Sequence, residues 1–479
     1  MLVRRPALSR YADRARHPDW NRLHPGRVVV VGAITLSLLG LNTVVAHGDS
    51  SFTPTPSPFA SLPVGTAMGN SVLTPTSTKA PIPTTAGIAK AFGSTLRTPA
   101  LGNRVGTIVV DALTGATLYN YNGALAQQPA STMKLLTSVA VLSAYGPDYR
   151  LATRVVRGSG STVVLVGGGD ASLVSTTAPR GIIPEPARLS TLADRTAAAL
   201  KASGQTKVGL QFDDHLFIGP RVSPAWPPTY VSSGIVAPVS ALSVDQGRRT
   251  PTSRTRVADP ALVATTTFVT LLKKRGVSVV GRIGRVTTSS TANEIARVES
   301  PPLADLVERM LTYSDNDLAE AMSHLAGAAT GNGSFAGGAA ATSTQLVAAG
   351  VSTAGLVISD GSGLARTDRV TAVSLGAIVS KASTTSNATW WPMVTGLPVA
   401  GATGTLATRF DEKITLAGRG VVRAKTGTLT SVSSLAGLVR DRAGRLLAFA
   451  VIADRRGDLL LAERALDRVA AALARCGCK

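Results

Sequence analysis

A serine hydroxyl is a poor nucleophile at neutral pH and becomes a good one when a base lies within hydrogen-bond reach. The stretch Ala130-Ser131-Thr132-Met133-Lys134-Leu135-Leu136 supplies both groups. On a helix, Lys134 falls one turn after Ser131 and on the same face. The helix is expected because Pro129 and Ala130 precede a Ser/Thr start, and Leu135, Leu136, Val139 and Leu142 recur at i, i+3 and i+4 spacing. Ser131 then stands at the helix N-terminus, where free N–H groups and the helix dipole favour developing negative charge. Alone, a Ser-x-x-Lys spacing also fits an N-cap with a solvated lysine.

Two further stretches follow in order, Tyr313-Ser314-Asp315-Asn316 and Arg423-Ala424-Lys425-Thr426-Gly427-Thr428. The apolar positions Leu303, Leu306, Val307, Met310 and Leu311 predict a helix ending at Tyr313, and Asp317 to Met322 resumes as helix. Ser314 and Asn316 therefore lie on a break between two helices. There a hydroxyl can relay protons and an amide can grip a substrate peptide bond; Ser314 as a plain N-cap is the alternative. Lys425 with the flanking hydroxyls of Thr426 and Thr428 suits a substrate carboxylate. Gly427 permits close backbone approach, and the Thr428 N–H can complete an oxyanion hole with that of Ser131.

The elements that must position these groups are partly readable. Arg104 to Asp111 and Ala116 to Tyr121, joined by a Leu113-Thr114-Gly115 turn, predict a β-hairpin leading to the Ser131 helix. Near the C-terminus, Val421 to Thr428, Ser433 to Val439 and Arg445 to Ile452 predict three antiparallel strands, followed by a helix from about Leu459 to Arg475. Gly-rich turns are expected at Leu356 to Leu364 and Pro398 to Leu406. Ser131 and Ser314 are 183 residues apart, too far for a simple connection within one site, so an inserted domain is implied. It is given residues 150–291, with strands at Leu151 to Val156, Thr162 to Val166 and Lys207 to Phe212 and a helix at Leu189 to Ser203. The catalytic part is then 87–149 together with 292–479.

At 479 residues and 44% hydrophobic, the chain can bury more than one core, filled mostly by Ala, Val and Leu because aromatics are only 4%. Residues 1–27 carry seven arginines and two aspartates, and 28–46 form an uncharged, mostly apolar run of 19 residues. A basic flank before an apolar run means export. The length favours an uncleaved membrane anchor with a cytoplasmic N-terminus over a cleaved signal peptide, although Val44-Val45-Ala46 resembles a cleavage site. Residues 47–86, rich in Ser, Thr and Pro, read as a linker. The net charge of +21 falls only to +16 beyond residue 46. Basic residues are scattered and no aromatics interleave with them, so nucleic-acid binding is not expected.

The five histidines, His17, His24, His47, His215 and His324, form no His-Glu-x-x-His or His-x-x-x-His spacing, so neither a metal nor another cofactor is called for. Asp213-Asp214-His215 lacks a second histidine at ligand spacing. Between Asn316 and Lys425 the only glutamates are Glu320 and Glu412, and neither opens the Glu-x-x-x-Asn loop of a class A β-lactamase. Cys476 and Cys478, one residue apart at the C-terminus, read as a frayed tail that contributes little, or else as a labile redox pair or a crosslink.

The ordered trio Ser-x-x-Lys, Ser-Asp-Asn and Lys-Thr-Gly resembles the signature of serine β-lactamases and penicillin-binding proteins. Pro129-Ala130-Ser131, Gly169-Asp170-Ala171-Ser172-Leu173, Asp360-Gly361-Ser362-Gly363-Leu364 and Lys425-Thr426-Gly427-Thr428-Leu429, with the long insertion, narrow the resemblance to the D-alanyl-D-alanine carboxypeptidases of the class C low-molecular-weight penicillin-binding proteins. It covers about Gly87 to the C-terminus; Ala171 stands where the class usually has proline. The resemblance implies an α+β fold, a β-lactamase-like antiparallel sheet flanked by helices with a large domain inserted after the nucleophile helix. It also implies removal of the terminal D-alanine from peptidoglycan stem peptides through an acyl-enzyme, with endopeptidase activity in some members, and β-lactams as covalent inhibitors. A β-lactamase-like hydrolase and a catalytically silent wall-binding or scaffolding module are the rivals.

Overall fold

The computed structural model describes residues 79–176, 184–384 and 387–478. The basic segment, the apolar run 28–46 and the linker up to residue 78 lie outside the described residues; among those described, no helix is long and apolar enough to cross a membrane.

In chain order, β1 (Val105–Asp111) and β2 (Thr117–Tyr121) form the expected hairpin, and the helix Met133–Tyr145 follows a short 3₁₀ turn, Ala130–Thr132. Five strands come next: β3 (Ala152–Arg157), β4 (Thr162–Val166), β5 (Lys207–Asp213), β6 (Ser278–Arg285) and β7 (Glu294–Glu299). The last three are β8 (Val422–Leu429), β9 (Val432–Arg440) and β10 (Leu446–Ala453), closed by the helix Leu459–Arg475. One sheet has the order β2-β1-β10-β9-β8 and is antiparallel throughout. The three C-terminal strands read from the sequence thus form one sheet with the N-terminal hairpin. The other sheet, β6-β5-β4-β3-β7, mixes parallel and antiparallel pairs and draws its edge strand β7 from beyond residue 291.

The first sheet is covered on both faces, which explains why its central strands read as nearly continuous apolar runs. Because side chains alternate along a strand, Ala448, Ala450 and Ile452 of β10 face the core built on Met133–Tyr145, while Leu447, Phe449 and Val451 face the core of the terminal helix. That alternation places the Met133–Tyr145 helix on one face and the Leu459–Arg475 helix on the other. The second sheet has its own core, formed with the helices Leu189–Ala202 and Pro260–Lys274.

The reading of the C-terminus as a frayed tail is corrected. Cys476 is buried within the terminal-helix core and is disulfide-bonded to Cys478. The Cys476 carbonyl accepts the Arg442 N–H at 3.1 Å, and the Cys478 carbonyl accepts the Thr84 N–H at 2.9 Å. The tail thus ties down the start of the helix Thr85–Phe92, whose N-cap is Thr84.

Candidate active site

The turn that carries Ser131 is held from three sides. Ala130 adopts φ +49, a conformation that costs a non-glycine residue energy and persists only where its surroundings enforce it. Pro129, just before it, offers its carbonyl to the hydroxyls of Thr132 and Ser434, each at 2.7 Å. Gly363 presses from a second side: a Cβ there would collide with the Ala130 carbonyl. From the third, a Cβ on Gly427 would meet Ser434 Oγ, stand 2.6 Å from the Pro129 carbonyl and lie 3.1 Å from Ser131 N. Glycine at 427 is thus what lets β8 run against the Ser131 turn.

Lys134 is completely buried, and its amine reaches three acceptors: Ser131 Oγ at 3.1 Å, Asn316 Oδ1 at 2.8 Å and the Ser362 carbonyl at 2.9 Å. Three acceptors satisfy the three hydrogens of an ammonium, leaving none to steer at random. Burial pushes its pKa down to about 8, against the pull of the Asp360, Glu320, Asp315 and Asp317 carboxylates. A lysine poised there gives up its proton near physiological pH and can then accept one from the Ser131 hydroxyl.

Asn316 opens the helix Asn316–Ala328 and uses both ends of its amide, since Nδ2 donates to the Ile235 carbonyl at 3.0 Å. Ser314 takes the left-handed conformation, φ +57, at the C-cap of the helix Leu303–Tyr313. It is not the N-cap of the following helix; Asp315 is, accepting the Leu318 N–H at 3.1 Å. The Ser314 hydroxyl makes no hydrogen bond to any described residue, so Ser131, Lys134 and Asn316 form one connected network and Ser314 stands outside it.

Lys425 is also fully buried, and its amine donates to the Thr426 carbonyl at 2.9 Å. Burial, reinforced by the nearby Lys134 charge, pushes its pKa well below that of an ordinary lysine. Lys425 and Gly427 share a face of β8, the one against the Ser131 turn, by the two-residue period of a strand. Thr426 pairs its hydroxyl with that of Thr405 at 2.8 Å, and Thr428 Oγ1 lies 3.4 Å from Glu463 Oε1.

β8 is an edge strand. On its outer side, the Val422 carbonyl accepts the Ala400 N–H and the Ala424 N–H donates to the Pro398 carbonyl, both at 2.9 Å. The same parity turns the N–H groups of Thr426 and Thr428 to that outer side, past the end of the Pro398–Ala400 cover. The strand therefore presents backbone donors beside Ser131, where an extended peptide can add as a further strand.

The segment between β5 and β6 contributes residues that motif reading missed. Gln246 Nε2 donates to Asp315 Oδ2 at 2.6 Å, the Ala237 N–H to Asp317 Oδ1 at 2.7 Å, and Arg256 pairs with Asp317 Oδ2 at 2.7 Å with both side chains buried. Together with Ile235 on Asn316, this segment holds Asp315, Asn316 and Asp317. Trp226 Nε1 donates to Asp360 Oδ2 at 2.7 Å. The one available signal was Glu320, a carboxylate in an apolar helical run four residues after Asn316 and so on its face. Asp213 and Asp214 are engaged elsewhere: Asp213 accepts the His215 and Thr288 N–H groups, and Asp214 pairs with Arg221 and Arg285.

The chain is 36% identical over 465 residues to Carboxypeptidase DacB of Mycolicibacterium smegmatis, covering 94% of this chain and 97% of that one. It is 35% identical over 414 residues to Carboxypeptidase Rv3627c of Mycobacterium tuberculosis, covering 84% and 87%. The fold is similar to that of penicillin binding protein 4 from Haemophilus influenzae, with a TM-score of 0.65 at 20% identity over 80% of this chain and 98% of that one; that protein is also known in complex with a β-lactam. Residues 88–255 and 249–473 match the D-Ala-D-Ala carboxypeptidase 3 (S13) family, and the chain belongs to it.

Proposed function

We propose that this chain is a serine-type D-Ala-D-Ala carboxypeptidase acting on peptidoglycan stem peptides, with Ser131 as nucleophile and Lys134 as its base. The observation that carries the assignment is the 3.1 Å contact between the buried Lys134 amine and Ser131 Oγ, made where Gly427 brings β8 against the Ser131 backbone. Neutral Lys134 takes the hydroxyl proton as Ser131 Oγ attacks the carbonyl carbon of the penultimate D-alanine. The N–H groups of Ser131 and Thr428 hold the oxyanion. The C–N bond then breaks, D-alanine leaves with a proton passed through Ser314 and Lys425, and water hydrolyses the ester to free Ser131. Asn316 positions the peptide, and Lys425, Thr426 and Thr428 hold its terminal carboxylate. An empty Lys425 site disfavours the ammonium, so carboxylate binding draws a proton onto it.

The same site takes β-lactams as covalent inhibitors, since their amide mimics the acyl-D-alanyl-D-alanine end; the β-lactam complex of the Haemophilus protein supports this. The catalytic part is formed by residues 87–149 and 292–479, and the inserted part, 150–291, carries most of the second sheet. The catalytic part works outside the cytoplasm, and the apolar run 28–46 tethers it to the membrane as a single span. Purified protein is mixed with muropeptides and the products are weighed by mass spectrometry. Loss of one alanine from pentapeptides is expected; conversion of crosslinked dimers to monomers adds endopeptidase activity, and intact muropeptides beside an active control refute the assignment.

A further inference from the structure

The acceptors around Lys134 include one that no side chain supplies, the Ser362 carbonyl. A carbonyl on a loop positions a base only as well as the loop is held, and this loop is gripped by carboxylates. Glu320 Oε2 accepts the Gly361 N–H at 3.1 Å and Oε1 the Ser362 N–H at 2.8 Å. Asp360 accepts the Gly363 N–H at 2.6 Å and the Ala365 N–H at 2.7 Å, as well as the Trp226 indole. From the nucleophile helix, Thr137 Oγ1 donates to the Gly361 carbonyl at 2.6 Å. Gly361 fits so tightly against the helix Asn316–Ala328 that a Cβ would strike Ser323 and approach the Ala319 carbonyl to 2.7 Å.

Glu320 is buried to 1% exposure, where a carboxylate is costly unless its oxygens are used. Both are used on consecutive backbone N–H groups of the loop whose carbonyl touches the base. Nucleophile, base, loop and Glu320 thus form one chain: Ser131 Oγ, Lys134 Nζ, the Ser362 carbonyl, the Ser362 N–H and the Glu320 carboxylate.

We propose that Glu320 is a positioning residue for the acylation step: its carboxylate holds the Gly361 and Ser362 N–H groups and so aims the Ser362 carbonyl at the Lys134 amine. The proposal rests on the reading of Ser131 and Lys134 as nucleophile and base. Glu320 touches no reacting atom and acts through the loop. Its charge acts as well. The groups that face Lys134 are Asp315 and Asp317 before and in the Asn316 helix, Asp360 in the loop, Glu320 itself and Lys425 from β8. Facing Glu320 are Asp360, Asp368 and Lys134, and its own backbone carbonyl accepts the Nδ1–H of the buried, neutral His324 ring at 2.9 Å. Burial and the Asp360 charge raise the Glu320 pKa, against the Gly361 N–H and the Lys134 charge, which favour its ionised form. Whatever fraction of Glu320 is ionised, it can only strengthen proton binding at Lys134. Removing the charge therefore moves the deprotonation of Lys134 to lower pH.

The test is the second-order rate of acylation by a fluorescent penicillin, followed from pH 5 to 10 in wild type, Glu320→Gln, Glu320→Asp and Thr137→Val, with melting temperatures alongside. Glutamine offers one acceptor where two N–H groups need one each. Glu320→Gln is expected to lower the plateau rate about tenfold or more and to move the acidic limb down by about half a pH unit or more. Thr137→Val, which loosens the loop without altering charge, is expected to slow acylation several-fold with the limb in place, and Glu320→Asp to fall between. A Glu320→Gln profile that matches wild type in rate and limb overturns the proposal. A rate lost only in proportion to unfolded protein, with the limb unmoved, also overturns it. Should Glu320→Gln fail to fold, unchanged acylation in both Thr137→Val and Glu320→Asp overturns it instead. Failure of the underlying reading looks different: wild type itself would not be labelled at Ser131.

Discussion

Adding one methyl group at Gly427 separates the geometry of the site from its chemistry. The alanine Cβ would collide with Ser434 Oγ and lie 2.6 Å from the Pro129 carbonyl and 3.1 Å from Ser131 N, against an ordinary contact of 3.4–4 Å. The carbonyl cannot rotate away, because it already accepts the Thr132 and Ser434 hydroxyls. β8 must therefore withdraw from the nucleophile turn by close to an ångström, carrying the Thr428 N–H and Lys425 with it. Overpacking of this kind costs about 1–3 kcal/mol of stability. Losing one oxyanion donor costs about 10²- to 10³-fold in rate, or roughly 3–4 kcal/mol. Gly427→Ala is expected to fold, to melt several degrees lower, and to be acylated by a chromogenic β-lactam at least about a hundredfold more slowly in stopped flow. Adding Ser434→Ala removes the nearest obstacle and should restore part of the melting temperature but little of the rate. A Gly427→Ala protein acylated within threefold of wild type would refute the claim that β8 contact with Ser131 builds the oxyanion site.

Three further outcomes are expected. Acylation should rise about tenfold per pH unit below pH 8 and level off above it, because Lys134 must lose its proton to act as base; a rate flat from pH 6 to 9 would contradict this. Arg256→Met leaves the buried Asp317 carboxylate without its partner and should cost about 3–5 kcal/mol in denaturant unfolding, with acylation slowed as the Asn316 turn loosens; a loss under 1 kcal/mol would show that the pair does not hold the turn. Deleting residues 476–479 removes a buried side chain and two backbone acceptors, so the melting temperature should fall by a few degrees while penicillin labelling persists, the tail lying on the terminal-helix side of the sheet. An unchanged melting temperature would return the tail to the frayed state read from its sequence.

The parts of the fold that were legible are those whose burial repeats with a fixed period. Leu135, Leu136, Val139 and Leu142 announce the Met133–Tyr145 helix, and the apolar residues of β1, β9 and β10 announce the sheet, because each element alone must satisfy its core face. The three motifs were legible because each is local. What escaped is held by contacts far apart in the chain. Trp226, Gln246 and Arg256 sit in loops without apolar periodicity, and their value lies in Asp360, Asp315 and Asp317, between 61 and 134 residues away. The edge strand β7 escaped for the same reason: its residues alternate and are half exposed, and only pairing with β3 assigns it to the second sheet. The tail was misread because one buried cysteine in a short C-terminal run carries no signal of the Thr84 backbone it meets.

The most direct test of the central claim is intact and peptide mass spectrometry of the protein after incubation with benzylpenicillin, for wild type, Ser131→Ala and Lys134→Ala. One penicilloyl adduct is expected in wild type, on the peptide containing Ser131, and none in either variant when both melt as folded proteins. An adduct that persists in Ser131→Ala, or that forms in Lys134→Ala at the wild-type rate, would contradict that claim.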